Sequence, residues 1–177
     1  RMAKKIISHF PIRYNRYIEP FLGSGAVLFH LEPKYSIASD TNKNLIDFFK
    51  ILQKEPQLIY EEYKKRFQLF SKNRIKIYEK IKTNFNKSNN PHDFFFISRT
   101  CYGGVVRFRK DGYLSTPLGP HKPVSPEEIL ARSLNWFKII KNTKFKVCDY
   151  SKTILEARDG DIIYCDPPYL DSQKILY

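Results

Sequence analysis

The chain has 177 residues, with 31 Lys and Arg against 18 Asp and Glu, for a formal charge of +13. That length holds one ordinary domain, or one domain with a small insert, and 14 Phe, 12 Tyr and a 42% hydrophobic content exclude wholesale disorder. No apolar run reaches the ~20 residues of a membrane span, and no secretory leader is read. Cys101, Cys148 and Cys165 are too widely spaced for a disulfide framework or a CxxC site, and the four His are scattered, so no metal and a cytoplasmic location are expected. The charge points to a polyanionic partner, nucleic acid before membrane, without saying what is done to it.

In chain order, Met2 to Phe10 reads as a short helix with Ile6, Ile7 and Phe10 on its apolar side. Arg16 to Glu19 is a short strand running into the turn Pro20-Phe21-Leu22-Gly23-Ser24-Gly25. A helix begins over Ala26 to Leu31, and a second strand, Tyr35 to Ser39, ends at Asp40. Strand, glycine turn, helix, strand is a βαβ opening. Leu45, Phe48, Phe49 and Leu52 recur at helical spacing, as do Ile59, Tyr63, Phe67 and Phe70, then Arg74, Tyr78, Ile81 and Phe85. Lys54 to Lys87 holds ten basic and four acidic residues; this basic surface reads as a solvated helix face that could touch flanking DNA. Asn84 to Pro91 reads as a polar loop and Phe94 to Ile97 as a buried helical segment. Tyr102 to Pro117 reads as a β-hairpin turning at Asp111-Gly112. Ser125-Pro126-Glu127-Glu128 starts a helix to about Ile140, with a cap, a first-position proline and first-turn acids. Lys144 to Cys148 and Ile162 to Cys165 are two further strands with a short helix between them. The fold expected is α/β, a mostly parallel sheet interrupted by a basic insert. The segments are 1-53, the insert 54-140 with its hairpin 102-117, and 141-177.

Two features carry chemistry. Gly23 and Gly25 let backbone approach a ligand at the carboxyl end of a strand, and Asp40, closing the next strand, can accept from ribose hydroxyls. A GxG turn alone serves equally as an ordinary tight turn, and Leu28 breaks the full GxGxxG pattern. The second feature is Asp166-Pro167-Pro168-Tyr169, directly after an apolar strand. The lone pair of an exocyclic base amine is conjugated into the ring and is a poor nucleophile. A carboxylate at Asp166 and the carbonyl of Pro167 can accept its two N–H bonds and favour a tetrahedral, electron-rich nitrogen. The two prolines stiffen the loop without adding donors, and Tyr169 can stack on an extruded base. The plainer use of this segment is a proline-rich strand exit carrying a surface acid.

These motifs, in this order, resemble the Dam-like adenine-N6 DNA methyltransferases of the alpha group, which use S-adenosylmethionine. The resemblance implies a Rossmann-like methyltransferase sheet with a helical and β-hairpin target-recognition insert. It places Glu19, Pro20, Phe21, Gly23, Gly25, Asp40, Asp149 and Asp166 at the cofactor, with Asp149 near its adenine. It makes Asp166, Pro167, Pro168 and Tyr169 the catalytic motif. The family also carries a Gly-Gly-Lys element upstream of the position of Arg1 and further strands after the catalytic motif. The resemblance therefore implies the front portion of a longer enzyme with an incomplete sheet, methylating poorly as 177 residues alone.

In the same family Arg107 would read a guanine beside the target adenine. An arginine on a hairpin can indeed make two hydrogen bonds to guanine in the major groove; pairing with a phosphate or a surface acid is the plainer alternative. Tyr102 could wedge near the vacated base or pack in a core. Arg99, Arg109, Lys110 and Lys122 read as phosphate contacts, and Pro117 belongs to the same recognition segment. Gly103 stands where close relatives often carry a polar residue, which leaves the recognised sequence open. The expected partner is double-stranded DNA, with a cognate restriction endonuclease in the same system but no stable contact to it. Cytosine-N4 or RNA amino-methylation, and a non-catalytic DNA-binding module, are the competing readings.

Overall fold

A computed structural model of the protein describes residues 2–168. Its elements in chain order are α1 (Met2–Ile7), β1 (Tyr17–Glu19), α2 (Ala26–Leu31), β2 (Ser36–Asp40), α3 (Lys43–Lys54), α4 (Pro56–Lys72), α5 (Arg74–Ser88) and α6 (Pro91–Thr100). After a 3₁₀ turn at Tyr102–Gly104 follow α7 (Pro126–Ile140), β3 (Thr143–Val147), α8 (Tyr150–Ile154) and β4 (Ile162–Ile163). The chain packs into two compact units. One contains the residues up to Lys54 together with Asn135–Pro167, and the other is Glu55–Leu134.

The first unit holds a four-stranded, wholly parallel sheet in the order β3-β2-β1-β4. Parallel strands need crossover connections and cover on both faces, and β1 and β2 accordingly read as buried runs, with Tyr17, Ile18 and Ala38 fully buried. Trp136 at the far end of α7 packs against Phe29 and Phe49, and Phe49 stacks on Phe145 of β3, so the carboxyl end of α7 belongs to this core.

Two expected bounds shorten here. α1 stops at Ile7; Ser8 to Phe10 close as single turns ahead of Pro11. β4 ends at Ile163 rather than Cys165. Its amides at Ile162 and Tyr164 donate to Arg16 and Ile18 of β1. The next donor in that ladder would be residue 20, and Pro20 has no N–H.

The second unit is helical around aromatic side chains: Tyr63, Phe70, Tyr78, Phe85 and Phe96 are all buried to 1% exposure or less. Arg66 bridges Glu62 and the buried Asp93 at 2.7 Å each, pinning α6 to α4, and Lys65 first, then Arg66, hold the Glu62 carboxyl down to about 2.

The expected polar loop from Asn84 is a correction. α5 runs on to Ser88 because Phe85 continues the buried helical period, and it ends at Asn89, whose backbone is left-handed (φ 52°). The expected hairpin over 102-117 is also corrected. It turns at Lys110-Asp111-Gly112 and holds the antiparallel bridge Phe108↔Leu114, with Arg109 and Ser115 amides bonded across at 2.8 and 3.1 Å. A continuous ladder does not form. Gly103 and Gly104 take φ of 64° and 68°, coiling Tyr102–Gly104 into the 3₁₀ turn, and the Arg107 amide donates to the Thr116 hydroxyl instead of to backbone.

Candidate active site

Every strand of the sheet delivers a carboxylate at its carboxyl end. Glu19 closes β1, Asp40 closes β2, Asp149 follows β3 by two residues, and Asp166 follows β4 by three. The order β3-β2-β1-β4 reverses direction between β1 and β4, so Glu19 and Asp166 flank the switch point, where ligands of open parallel sheets bind.

Asp40 organises the glycine turn. One oxygen accepts the Gly23 amide at 3.1 Å and the other the Asn42 amide at 2.9 Å, tying the loop after β1 to the entry of α3. Asp149 caps α8 by accepting from the Ser151 hydroxyl and amide, contacts that hold its carboxyl below the usual range. Tyr150, next along, stacks on Phe21 at 5.1 Å and keeps nearly half its surface exposed, giving this end of the sheet an aromatic wall. Pro20 is buried, and its carbonyl accepts from Ser39 at 3.3 Å. Gly25 is buried on the core side: an added Cβ would stand 2.9 Å from the Trp136 ring, whereas one at Gly23 would meet nothing within 4 Å.

Asp166, Pro167 and Pro168 are exposed, and Asp166 accepts from the Tyr164 hydroxyl at 3.3 Å. Glu19 is the opposite, 3% exposed; burial foremost, with Asp166 adding, pushes its carboxyl up to about 8. Tyr169 lies outside the described residues. Among the described residues no group of His, Cys, Asp and Glu is arranged to hold a metal, and no helix is long and apolar enough to cross a membrane. A groove of about 550 Å³ at the amino ends of the strands, lined by Arg16, Tyr35, Lys144, Glu156 and Arg158 among others, lies away from these carboxylates. Two of its cations are already engaged, Arg16 with Asp161 at 2.6 Å and Lys144 with Glu156 at 3.6 Å.

The recognition candidates all lie in the second unit. Arg99, Tyr102, Arg107, Arg109, Lys110, Pro117 and Lys122 are exposed, Tyr102 to 61%. Arg107, Lys110 and Lys122 make no ion pair among the described residues, whereas Arg109 pairs with Asp111 and lies over the Tyr113 ring. Arg99 lies over Phe95 and borders a concavity of about 340 Å³ shared with Gly103, Gly104 and His121. The sequence did not show that three residues of α5 hold the hairpin and the segment after it. Asn86 brackets Leu114 with bonds to its amide (2.7 Å) and carbonyl (3.1 Å), Tyr78 donates to the Thr116 carbonyl, and Arg74 to those of Gly119 and His121. For Asn86 the available signal was its place one residue after Phe85 in an unbroken helical period.

A parallel sheet with its acids gathered at one end defines a nucleotide-type α/β site, and the second unit carries an exposed, cationic hairpin on a helical frame. Comparison with known proteins is more specific. Residues 1–177 match the D12 class N6 adenine-specific DNA methyltransferase family, and the chain belongs to it. It is 34% identical over 176 residues to the Type II methyltransferase M.MjaIII of Methanocaldococcus jannaschii, covering 90% of this chain and 60% of that protein. It is 30% identical over 174 residues to the DNA adenine methylase of Vibrio cholerae, covering 95% and 61%. Against the DNA adenine methylase of Escherichia coli K12 it is 28% identical over 157 residues, covering 86% and 55%. The chain thus spans about 60% of the length of the first two relatives.

The family implies S-adenosylmethionine, and the residues present suit it. Carboxylates at adjacent strand ends match ribose hydroxyls and a cationic ligand, Gly23 leaves open space beside them, and Glu19 keeps a buried oxygen, Oε2, without a partner among the described residues.

Proposed function

We propose that the protein is a site-specific DNA methyltransferase that moves a methyl group from S-adenosylmethionine to the N6 amine of an adenine flipped out of duplex DNA. The observation that carries this reading is the placement of Asp166-Pro167-Pro168 at the carboxyl end of β4, on the opposite side of the switch point from Glu19 of β1. When bound, S-adenosylmethionine supplies an electrophilic methyl group on a sulfonium centre. Asp40 would accept from the ribose hydroxyls, Asp149 would stand near the adenine, and Glu19, Pro20, Phe21, Gly23 and Gly25 would form the rest of the cradle. Asp166 and the Pro167 carbonyl would accept the two N–H bonds of the target amine. They would hold the positive charge that grows on nitrogen as its lone pair leaves conjugation. Tyr169 would stack on the extruded base, offsetting a flipping cost of a few kcal/mol. No metal and no covalent enzyme intermediate enter this scheme.

On the DNA side, Arg107 is the base reader. Its guanidinium has no ion-pair partner among the described residues, and its backbone is fixed on both sides, by Thr116 through the amide and by Ser115 through the carbonyl. Arg107→Ala should cost about 1–3 kcal/mol in binding and relax preference at one base position. A methylation assay on duplexes varied one position at a time checks this, and an unchanged preference would remove the role. Arg99, Lys110 and Lys122 would contact phosphates, Arg109 after exchanging Asp111 for one, with Tyr102 and Pro117 beside the vacated base.

Asp40→Ala should weaken cofactor binding by about 1.5–3 kcal/mol, the range for hydrogen bonds to a charged group. Calorimetric titration with S-adenosylmethionine measures it; unchanged affinity would take Asp40 out of the site. The reading as a whole is tested by incubating the purified full-length protein with labelled S-adenosylmethionine and duplex DNA and identifying the modified base by mass spectrometry. N6-methyladenine is expected; N4-methylcytosine or no methylated base overturns the proposal.

A further inference from the structure

Tyr17-Ile18-Glu19 and Tyr164-Cys165-Asp166 repeat one pattern, a tyrosine followed two residues later by a carboxylate. β1 and β4 run parallel with Tyr17 opposite Ile162 and Ile18 opposite Ile163, so Tyr17, Glu19 and Tyr164 share one face of the sheet. Phe10 touches both tyrosine rings, with centroids 6.2 and 6.3 Å away. The two carboxylates differ in setting. Asp166 is exposed and accepts from Tyr164. Glu19 is 3% exposed and forms no ion pair among the described residues; its Oε2 has no hydrogen bond of ordinary geometry there, and its polar neighbours are the uncharged Tyr17 hydroxyl and Leu28 amide. An ionised carboxylate buried without a charged partner is costly enough that the group takes up a proton instead.

We propose that Glu19 stands as a neutral acid at the switch point, acting as a positioning residue for Asp166: a buried neighbour that carries no charge leaves the target amine to the exposed carboxyl of Asp166. The role toward Asp166 rests on the amine-binding function proposed above; the protonation of Glu19 does not.

The groups facing Glu19 agree with this assignment. Burial raises its carboxyl most and the charge of Asp166 raises it further, while the Tyr17 hydroxyl and the Leu28 amide of α2 pull the other way, leaving it at about 8. Burial, Glu19, Tyr164 and Tyr14 all act to keep Tyr17 un-ionised. The sign for stability follows. Glu19 is protonated up to about 8 in the folded chain against an ordinary 4.5, so between those values the folded state holds the extra proton. Stability is therefore undiminished below the lower value and falls as pH rises through the window, and Glu19→Gln should flatten that fall.

The test uses the purified protein without cofactor or DNA. Infrared spectra near neutral pH should show the carbonyl stretch of a protonated carboxylic acid that vanishes on alkaline titration. Glu19→Gln should remove it. Asp166→Asn, an exposed change that leaves the fold intact, should keep it and move its midpoint to lower pH. A band that survives Glu19→Gln, a band lost only in Asp166→Asn, or no such band in the wild type overturns the proposal. These readouts are independent of methyl transfer, so this inference and the enzymatic one fail separately.

Discussion

Asp166→Ala is expected to lower single-turnover methyl transfer by about 10³-fold or more, roughly 4 kcal/mol. The side chain is exposed and its one hydrogen bond among the described residues, from Tyr164, is 3.3 Å long, so truncation should leave the fold unstrained and remove chiefly what the carboxylate does for a ligand. It should remove the acceptor that favours the tetrahedral amine and the negative charge that meets the positive charge growing on nitrogen. Asp166→Asn keeps an acceptor oxygen and loses the charge, so its residual rate should exceed that of the alanine variant. The gap between the two separates hydrogen bonding from charge. Binding of S-adenosylmethionine, measured by calorimetry, should survive both changes because Asp40 and Asp149 are untouched. Labelled methyl incorporation in Asp166→Ala at the wild-type rate would remove the residue from the chemistry. Loss of cofactor binding alongside loss of rate would instead make it chiefly a cofactor ligand.

What could be read without coordinates was local. The acids Asp40 and Asp166 announce themselves because each ends an apolar run, and Asp111-Gly112 marks its turn by the backbone it demands. What could not be read was set by partners far along the chain. The pairing of β1 with β4 joins residues 145 positions apart, Tyr17 with Ile162. Only that pairing brings the strand ends that carry Glu19 and Asp166 to the same edge of the sheet and puts Tyr17, Glu19 and Tyr164 on a shared face. The hairpin shows both sides of this. Its turn was legible, but the ladder breaks where two glycines coil the chain at 103 and 104, and its arms are held by Tyr78 and Asn86 of α5 as well as by the few bonds between them. Asn86 read as loop because its segment is rich in Asn. The buried ring of Phe85, a tertiary fact, keeps that segment helical.

The two glycines of the cofactor turn should part company under substitution, with Gly25→Ala the more damaging to the fold. Both have left-handed backbone, φ 47° at Gly23 and 66° at Gly25, so an alanine at either costs about 1–2 kcal/mol of backbone strain. Only at Gly25 is the space also taken. The new methyl would lie 2.9 Å from the Trp136 ring, 3.3 Å from Leu22 and 3.4 Å from Phe49. That ring is itself packed against Phe29 and Phe49 and has little room to retreat. Overpacking of this kind adds about 1–3 kcal/mol, for a total of roughly 2–5 kcal/mol at Gly25. Denaturant unfolding of the two variants measures the difference. If it is packing, Gly25→Ala should cost less in a Trp136→Phe background, a coupling that a double-mutant cycle isolates. Equal losses at Gly23 and Gly25, or no coupling to Trp136, would mean that Gly25 is required by its backbone alone. Cofactor binding should run the other way. An alanine at Gly23 stands in open space beside the Asp40 carboxylate, so its affinity loss should exceed its stability loss, whereas Gly25→Ala should impair binding no more than it destabilises the sheet that carries the site.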